Sequence, residues 1–469
     1  MNLKSDILSP RLAIFQSIAQ LAPLPTLIFT IQEIFGYSDA PALSYLIALV
    51  IVLFSVNTVM QMGSRFPNAG GYYSYVAKGI SKSAGVYTQF LYLFYQVLNT
   101  AAVVIFSSWV LQIFLGIFGY QIRGFYLLAI PLVMIFVVPY FGIRISAMFY
   151  LITALIEIGI VLVLSVLLVA FPNSSSSFSA PMIPHVGISA FALSIIYSLF
   201  FFTGYGSVLT LAEETKTPRK SIPLMALFSV VGIGLLEFFY IYASDVNWGT
   251  SLTATFASAS TFPTFISAQR FLGVFGLVIT GSFAYISFLK GNIAIQNATS
   301  RGIFALARDG VIPKRLSAVH RRYGSPHLAI IFNEVVSLII IAVVYLVFYF
   351  ILGIHSGVTA SAAVYLIAIL TVGYLLTHIF ANISVPWYFT VKERRSLSLT
   401  KHYAMPIIST AAIIFALGLS FTGLTGYMVS LPVIVALYLL FAFLYTYRMI
   451  RSHPEVIANA GEIRITESG

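Results

Sequence analysis

Two short stretches carry backbone-breaking residues inside long apolar runs: Ala22-Pro23-Leu24-Pro25-Thr26 and Thr203-Gly204-Tyr205-Gly206-Ser207. Two prolines at i and i+2 remove two helix donors and clash with the carbonyls of the preceding turn. Each also biases the residue before it away from helix. Two glycines at the same spacing act differently, by freeing the backbone. An interrupted helix leaves N–H and C=O groups without intrahelical partners. The chemistry open to such a place is ligand binding by main chain, with N–H groups and a positive dipole end turned toward an anion such as a carboxylate. Gly and Pro are common in membrane helices, so either interruption alone also reads as a plain kink.

Ionisable and polar side chains inside the apolar runs form a second set. Glu157 and Lys290 each sit deep in one, and a charge there costs about 2.5–3.5 kcal/mol on insertion scales. Ionisable groups inside a membrane are functional candidates by default; the plainer alternatives are a static ion pair or a lysine that snorkels outward. Gln89, Tyr92, Gln96 and Asn99 recur at helical spacing on one face, as do Ser282, Tyr285, Asn292, Gln296 and Thr299. Such stripes line a wet pathway or tie helices together. Glu237 and Glu334 also fall in apolar runs, near enough to the run ends to read as boundary charges. Glu213 and Glu214, beside Lys216, Arg219 and Lys220, read from the residues alone as a solvated charge cluster.

The elements that must position these residues follow from composition. The 469 residues are 59% hydrophobic and only 8% charged, against about 25% charged in soluble domains. Such a chain cannot cover a water-facing surface and is expected in a bilayer. Spans need roughly 20 apolar residues, and twelve are expected, at about 12–36, 41–62, 84–118, 124–141, 145–170, 188–212, 222–244, 271–300, 328–352, 358–381, 405–423 and 428–448. Of the 25 Lys and Arg, all but Arg123, Arg270 and Lys290 then fall on the side of both termini, which the positive-inside rule makes cytoplasmic. Topology signals thus account for the net charge of +11, and nucleic acid is not an expected partner. Leu12–Gly36 is too long for the core of a cleaved leader. The tail from about 449 reads as partly disordered, and Asn173–Ser177 as a short polar loop.

Three motifs resemble those of the amino acid–polyamine–organocation permeases. Arg65-Phe-Pro-Asn-Ala-Gly-Gly-Tyr-Tyr-Ser-Tyr75 is similar to the family's loop after span 2. Phe202-Thr-Gly-Tyr-Gly206 with Ala212-Glu-Glu-Thr-Lys-Thr-Pro-Arg-Lys-Ser-Ile-Pro223 resembles its span 6 break and exit, and Ser300-Arg-Gly-Ile-Phe-Ala-Leu-Ala-Arg-Asp-Gly-Val-Ile-Pro313 its segment after span 8. The resemblance covers nearly the whole chain. It implies an all-α polytopic membrane protein with the leucine-transporter-like fold: inverted repeats at 12–187 and 188–390, two accessory helices at 405–448 and a tail at 449–469, all one transporter domain. Matched interruptions in two halves point to a binding site near mid-membrane. The residues implied there are Ala22, Pro23, Leu24, Pro25 and Thr26 with Phe201, Phe202, Thr203, Gly204, Tyr205, Gly206 and Ser207; of Phe200, Phe201 and Phe202, one of the latter two is expected to close over substrate. Some relatives carry Glu where Gly206 stands, so Glu-gated exchange is disfavoured.

The implied function is secondary active amino acid transport across the plasma membrane by alternating access. Proton-coupled uptake of neutral amino acids comes first, with Glu157 and Lys290 coupling, Gln89, Tyr92, Gln96, Asn99 and Asn292 lining the pathway, and Glu213, Glu214 and Arg219 gating the inside. Cationic amino acid or polyamine transport is the alternative, and a transport-inactive nutrient sensor or a polytopic membrane enzyme the alternatives of another class. The chain has no Cys, its seven His form no His-Glu-x-x-His pair, and it has no phosphate-binding Gly-x-x-x-x-Gly-Lys loop. No metal, cofactor or catalytic residue is therefore expected.

Overall fold

The computed structural model describes residue 3 and residues 7–172, 177–249, 253–259, 261–422 and 424–462. Lys4, Arg464 and most of the polar loop at Asn173–Ser177 lie outside the described residues. What is described is helical, with one isolated bridge between Leu8 and Thr215. The helices are α1 (Pro10–Leu21), α2 (Pro23–Tyr37), α3 (Pro41–Gly63), α4 (Tyr72–Gly79), α5 (Lys82–Ile117), α6 (Gly124–Leu127), α7 (Ala129–Tyr140), α8 (Ile143–Ala170), α9 (Ile188–Phe200), α10 (Pro218–Trp248), α11 (Thr253–Ala257), α12 (Pro263–Asp309), α13 (His327–Leu346), α14 (Val358–Val391), α15 (Met405–Thr422), α16 (Leu431–Ser452) and α17 (Pro454–Ala458).

Eleven helical stretches among the described residues are long and apolar enough to cross a bilayer. The chain is thus a polytopic membrane protein. The expected fourth span, 124–141, falls short of that length and is divided into α6 and α7. The outward faces of α8, α13 and α16 expose Leu155, Val166, Ile339, Val343, Leu437 and Phe441. A continuous apolar exterior of this kind is at equilibrium only against lipid.

Several helices outrun the apolar segments. α12 begins before residue 271 and continues to Asp309, so much of the expected loop at 301–327 is helix. Gly273, at φ 64° and ψ −159°, interrupts it near its start. Polar residues extend these helices because the ends pack against other protein rather than lipid.

Both termini meet one end of the bundle, called here the terminal end. Leu8 N–H donates to the Glu214 carbonyl at 3.0 Å and Lys216 N–H to the Leu8 carbonyl at 3.1 Å. The tail, expected to be partly disordered from 449, is instead held as far as Glu462. Gly461 N–H and Tyr73 Oη both donate to Asp309 Oδ2, at 2.9 and 2.8 Å. Lys82 Nζ donates to the Ala460 carbonyl and Asn68 Nδ2 to that of Glu462. The apolar Ile457 and Ala460 are buried against this end. At the same end Arg65 donates twice to Glu393 at 2.7 Å, which holds that carboxyl down at about 2.

Candidate functional site

The first interruption lies one residue earlier than the prolines suggested. Ala22 alone leaves helical geometry, at φ 47° and ψ 65°. Pro23 is the first residue of α2 and Pro25 lies in its first turn, where a missing N–H costs nothing. The prolines thus start the second half-helix rather than forming the gap. This changes what the break can offer a ligand. Pro23 and Pro25 have no N–H, Leu24 N–H donates to Glu157 Oε1 at 2.7 Å, and Thr26 N–H returns to the Ala22 carbonyl. No main-chain donor of that turn is left for an anion, contrary to the expectation from sequence.

The second interruption runs from the end of α9 at Phe200 through Gly204 into a 3-10 helix at Tyr205–Leu211. Gly204 takes φ 115°, which favours glycine, and a Cβ there would lie 2.4 Å from Gln20 Cγ. Gly206 serves close approach instead: its Cβ would lie 2.3 Å from Tyr72 Oη. Ser17 Oγ donates to the Tyr205 carbonyl at 2.7 Å and Ser207 Oγ to the Gln16 carbonyl at 3.2 Å. The second break is therefore bonded to α1, the half-helix that leads into the first. Gly204→Ala is expected to strain the turn by about 1–3 kcal/mol and to push Gln20 aside. The variant should unfold at lower temperature in detergent and lose roughly tenfold or more in ligand affinity, at 1.4 kcal/mol per decade; wild-type values for both would contradict this role.

Between the breaks lies a cavity of ≈ 60 Å³. Its polar lining is Gln20, Thr26, Thr30, Asn99 and Thr203, and its apolar lining includes Phe29, Val103, Phe106, Phe200, Phe288 and Ile367, with no ionisable side chain. Phe29, Thr30, Phe200 and Ile367 also line a second cavity of ≈ 290 Å³, which contains Glu33, Tyr37 and Tyr197. These four residues face both spaces. Phe200 thus occupies the place expected of Phe201 or Phe202. Those two rings are buried against Tyr45, at centroid distances of 5.3 and 5.4 Å.

Of the expected residues, Ala22, Pro25, Thr26, Thr203 and Asn99 line the cavity, while Pro23, Leu24 and Tyr205 to Ser207 are buried around it. Gln20 Nε2 donates to Gln96 Oε1, and Gln96 Nε2 to Tyr92 Oη, both at 2.9 Å. Gln89 Nε2 donates to the Gly302 carbonyl. Gln89 and Gln96 of the α5 stripe thus bond to other helices, while the Gln96–Tyr92 bond stays within α5. Asn292 is buried, away from the lining, with neither amide atom hydrogen-bonded to protein. Glu157 and Lys290 form a fully buried contact ion pair, and Ser287 Oγ also donates to Glu157 at 2.6 Å.

Glu237 is not a boundary charge. It is fully buried in α10 and faces Thr26 and Tyr45. Sequence reading missed this because the helix extends further, to Trp248, than the span assigned to it.

At the terminal end Glu214 pairs with Arg301, whose guanidinium also donates to Asn297. Arg308 donates to both oxygens of Glu213 at 2.9 and 2.8 Å, and Ala69 N–H donates to the same carboxylate. The cations paired with Glu214 and Glu213 are thus Arg301 and Arg308, from the third motif.

A family model described as amino acid permease matches residues 13–456. The chain is 24% identical over 418 residues to the low-affinity putrescine importer PlaP of Escherichia coli (strain K12), covering 83% of this chain and 82% of that protein. It is 24% identical over 329 residues to the branched-chain amino acid permease BcaP of Bacillus subtilis (strain 168), covering 66% and 69%. The family match takes in both broken helices, the cavity between them and the ion pairs of the terminal end, and it makes this chain a member of the amino acid permease family, within the amino acid–polyamine–organocation superfamily.

Proposed function

We propose that the protein is a secondary active transporter that takes up neutral amino acids across the plasma membrane by alternating access, coupled to protons. The observation that carries this reading is the small cavity between two broken helices, lined by neutral side chains, sharing four lining residues with the larger cavity, and with two ion pairs at the terminal end. A ligand with net charge would be desolvated there without a counter-ion. Gln20 Oε1, buried and unpartnered, can accept from an ammonium group. With the N–H groups of α2 engaged, a carboxylate would rely on side-chain donors such as Asn99 and Thr30. The aromatic lining suits an apolar side chain.

In this reading α6 and α7 together form a fourth span, giving twelve, with both termini cytoplasmic. Helix packing supports a five-plus-five inverted repeat followed by an accessory pair. Contact of α5 with α14 is mirrored by α12 with α8, α3 with α9 by α10 with α1, and α7 with α12 by α13 with α5. The coupling proton is assigned to the Glu157–Lys290 pair. Protonating Glu157 would weaken its hold on Leu24 N–H and so on the first break. The likeness to a putrescine importer, with Glu33 in the outer cavity, favours a polyamine as the second reading.

Purified protein in liposomes, offered labelled leucine, alanine, arginine and putrescine, tests both. Leucine or alanine should accumulate when the outside is more acidic, and a protonophore should abolish accumulation. Uptake of putrescine without any neutral amino acid would overturn the substrate assignment. Accumulation indifferent to the protonophore would overturn the coupling, and no flux at all would favour a sensor.

A further inference from the structure

Besides the Glu157–Lys290 pair, a second buried carboxyl touches the same broken helix. Thr26 Oγ1 lies 2.7 Å from Glu237 Oε1, 2.8 Å from the Pro23 carbonyl and 3.2 Å from the Ala22 carbonyl. Tyr45 Oη lies 2.5 Å from Glu237 Oε2. A hydroxyl carries one proton. If Glu237 were ionised, Thr26 could donate either to it or to Pro23, and the other close oxygen pair would have no hydrogen between its members. If Glu237 is neutral, every close contact is satisfied: Oε1–H donates to Thr26 Oγ1, Thr26 donates to the Pro23 carbonyl, and Tyr45 donates to Oε2.

The surroundings agree. No ion pair among the described residues includes Glu237, and an unpaired buried carboxylate is costly. Tyr45 is the one titratable group of α3. α8 brings Glu157, already paired with Lys290 of α12, along with Arg144 at its start and Tyr150. α1 has Arg11, exposed at its first turn, and α2 has Glu33 and Tyr37, which line the outer cavity. The 3-10 helix brings Tyr205; α11 and the turn Ala180–Met182 bring no titratable group. On α10 itself, Arg219 and Lys220 lie in its first turn, about five turns before Glu237, and Tyr240, Tyr242 and Asp245 follow it. None of these supplies a cation to Glu237.

We propose that Glu237 is a second proton-binding site, which holds its proton while the terminal end is closed and, through Thr26, fixes the carbonyls of the first break. Because Thr26 lines the cavity, occupancy of the cavity and of this proton site are linked. The inference goes beyond the coupling assigned to Glu157 and Lys290 and does not depend on it. When the first break moves and Thr26 leaves, the carboxyl loses its acceptor and can release the proton to water entering the pathway. No other group need change its covalent state.

Infrared spectroscopy of the full chain in lipid tests this apart from transport. At neutral pH the wild type should show the carbonyl stretch of a protonated carboxyl, and Glu237→Gln should remove that band. A spectrum unchanged by Glu237→Gln overturns the proposal. If that variant does not fold, Tyr45→Phe serves: loss of the phenol donor to Oε2 should shift the band upward, and an unshifted band overturns the proposal equally. In transport, Glu237→Gln should keep exchange of amino acid for amino acid, while its accumulation driven by a pH gradient should change its pH profile. If wild type moves no amino acid, the transporter reading fails and the infrared result still decides the proton site.

Discussion

Lys290→Met should be among the most destabilising single changes in this chain, and adding Glu157→Gln to it should recover much of the loss. Both side chains are fully buried and in contact. Removing one partner of a buried ion pair leaves an uncompensated charge and costs roughly 3–5 kcal/mol, whereas replacing both by neutral groups of similar size is often close to neutral. Glu157 has further partners that sharpen the expectation. Leu24 N–H and Ser287 Oγ both donate to its Oε1, and the amide oxygen of Gln can accept from both. The double variant therefore keeps the tie between α8 and the first break while removing both charges. Thermal unfolding of purified protein, followed through Trp109, Trp248 and Trp387, should order the variants as wild type, then the double variant, then either single. Strictly additive losses, with the double variant the worst, would mean that the pair is not coupled in the folded protein.

How far the site was legible can be judged residue by residue. Glu157 and Lys290 could be singled out because a charge in an apolar run has few explanations, and their meeting was a guess that the packing of α8 on α12 made concrete. The gap at Ala22 was displaced onto the prolines, since composition marks where a helix cannot continue but not which residue leaves helical φ and ψ. Phe200 could not be told from Phe201 and Phe202. Three adjacent aromatics point to three directions around α9, and only tertiary packing shows that two of them meet Tyr45. Arg301 and Arg308 looked like topology signals because they follow an apolar segment. The helix carries on past that segment to Asp309 and brings both to Glu213 and Glu214. Glu237 was set aside for the matching reason, a span end placed too early. Gln20 gave no signal, being one glutamine on an interior face, and its importance comes from the approach of Gly204.

Arg301→Lys should shift the protein toward a state open at the terminal end more strongly than Arg308→Lys. Arg301 is buried and donates to Glu214 through two nitrogens and to the carbonyl and side chain of Asn297 through a third. Lysine supplies one charged head with no planar fork, so it cannot keep all of these bonds at once. Arg308 donates through one nitrogen to Glu213, a carboxylate that Ala69 N–H also holds, and both partners retain some water contact, so less is lost there. The chain has no Cys, which makes a reporter simple. Thr210→Cys places one thiol in the buried 3-10 helix between the cavity and the gate. A membrane-impermeant maleimide added on the terminal side reacts with it only in molecules open at that end. Each 1.4 kcal/mol taken from the closed state raises a minor open population about tenfold. The Arg301→Lys background should therefore label at least roughly tenfold faster than Thr210→Cys alone, with Arg308→Lys between them. Equal rates in all three would mean that these ion pairs hold the fold without setting the equilibrium between closed and open.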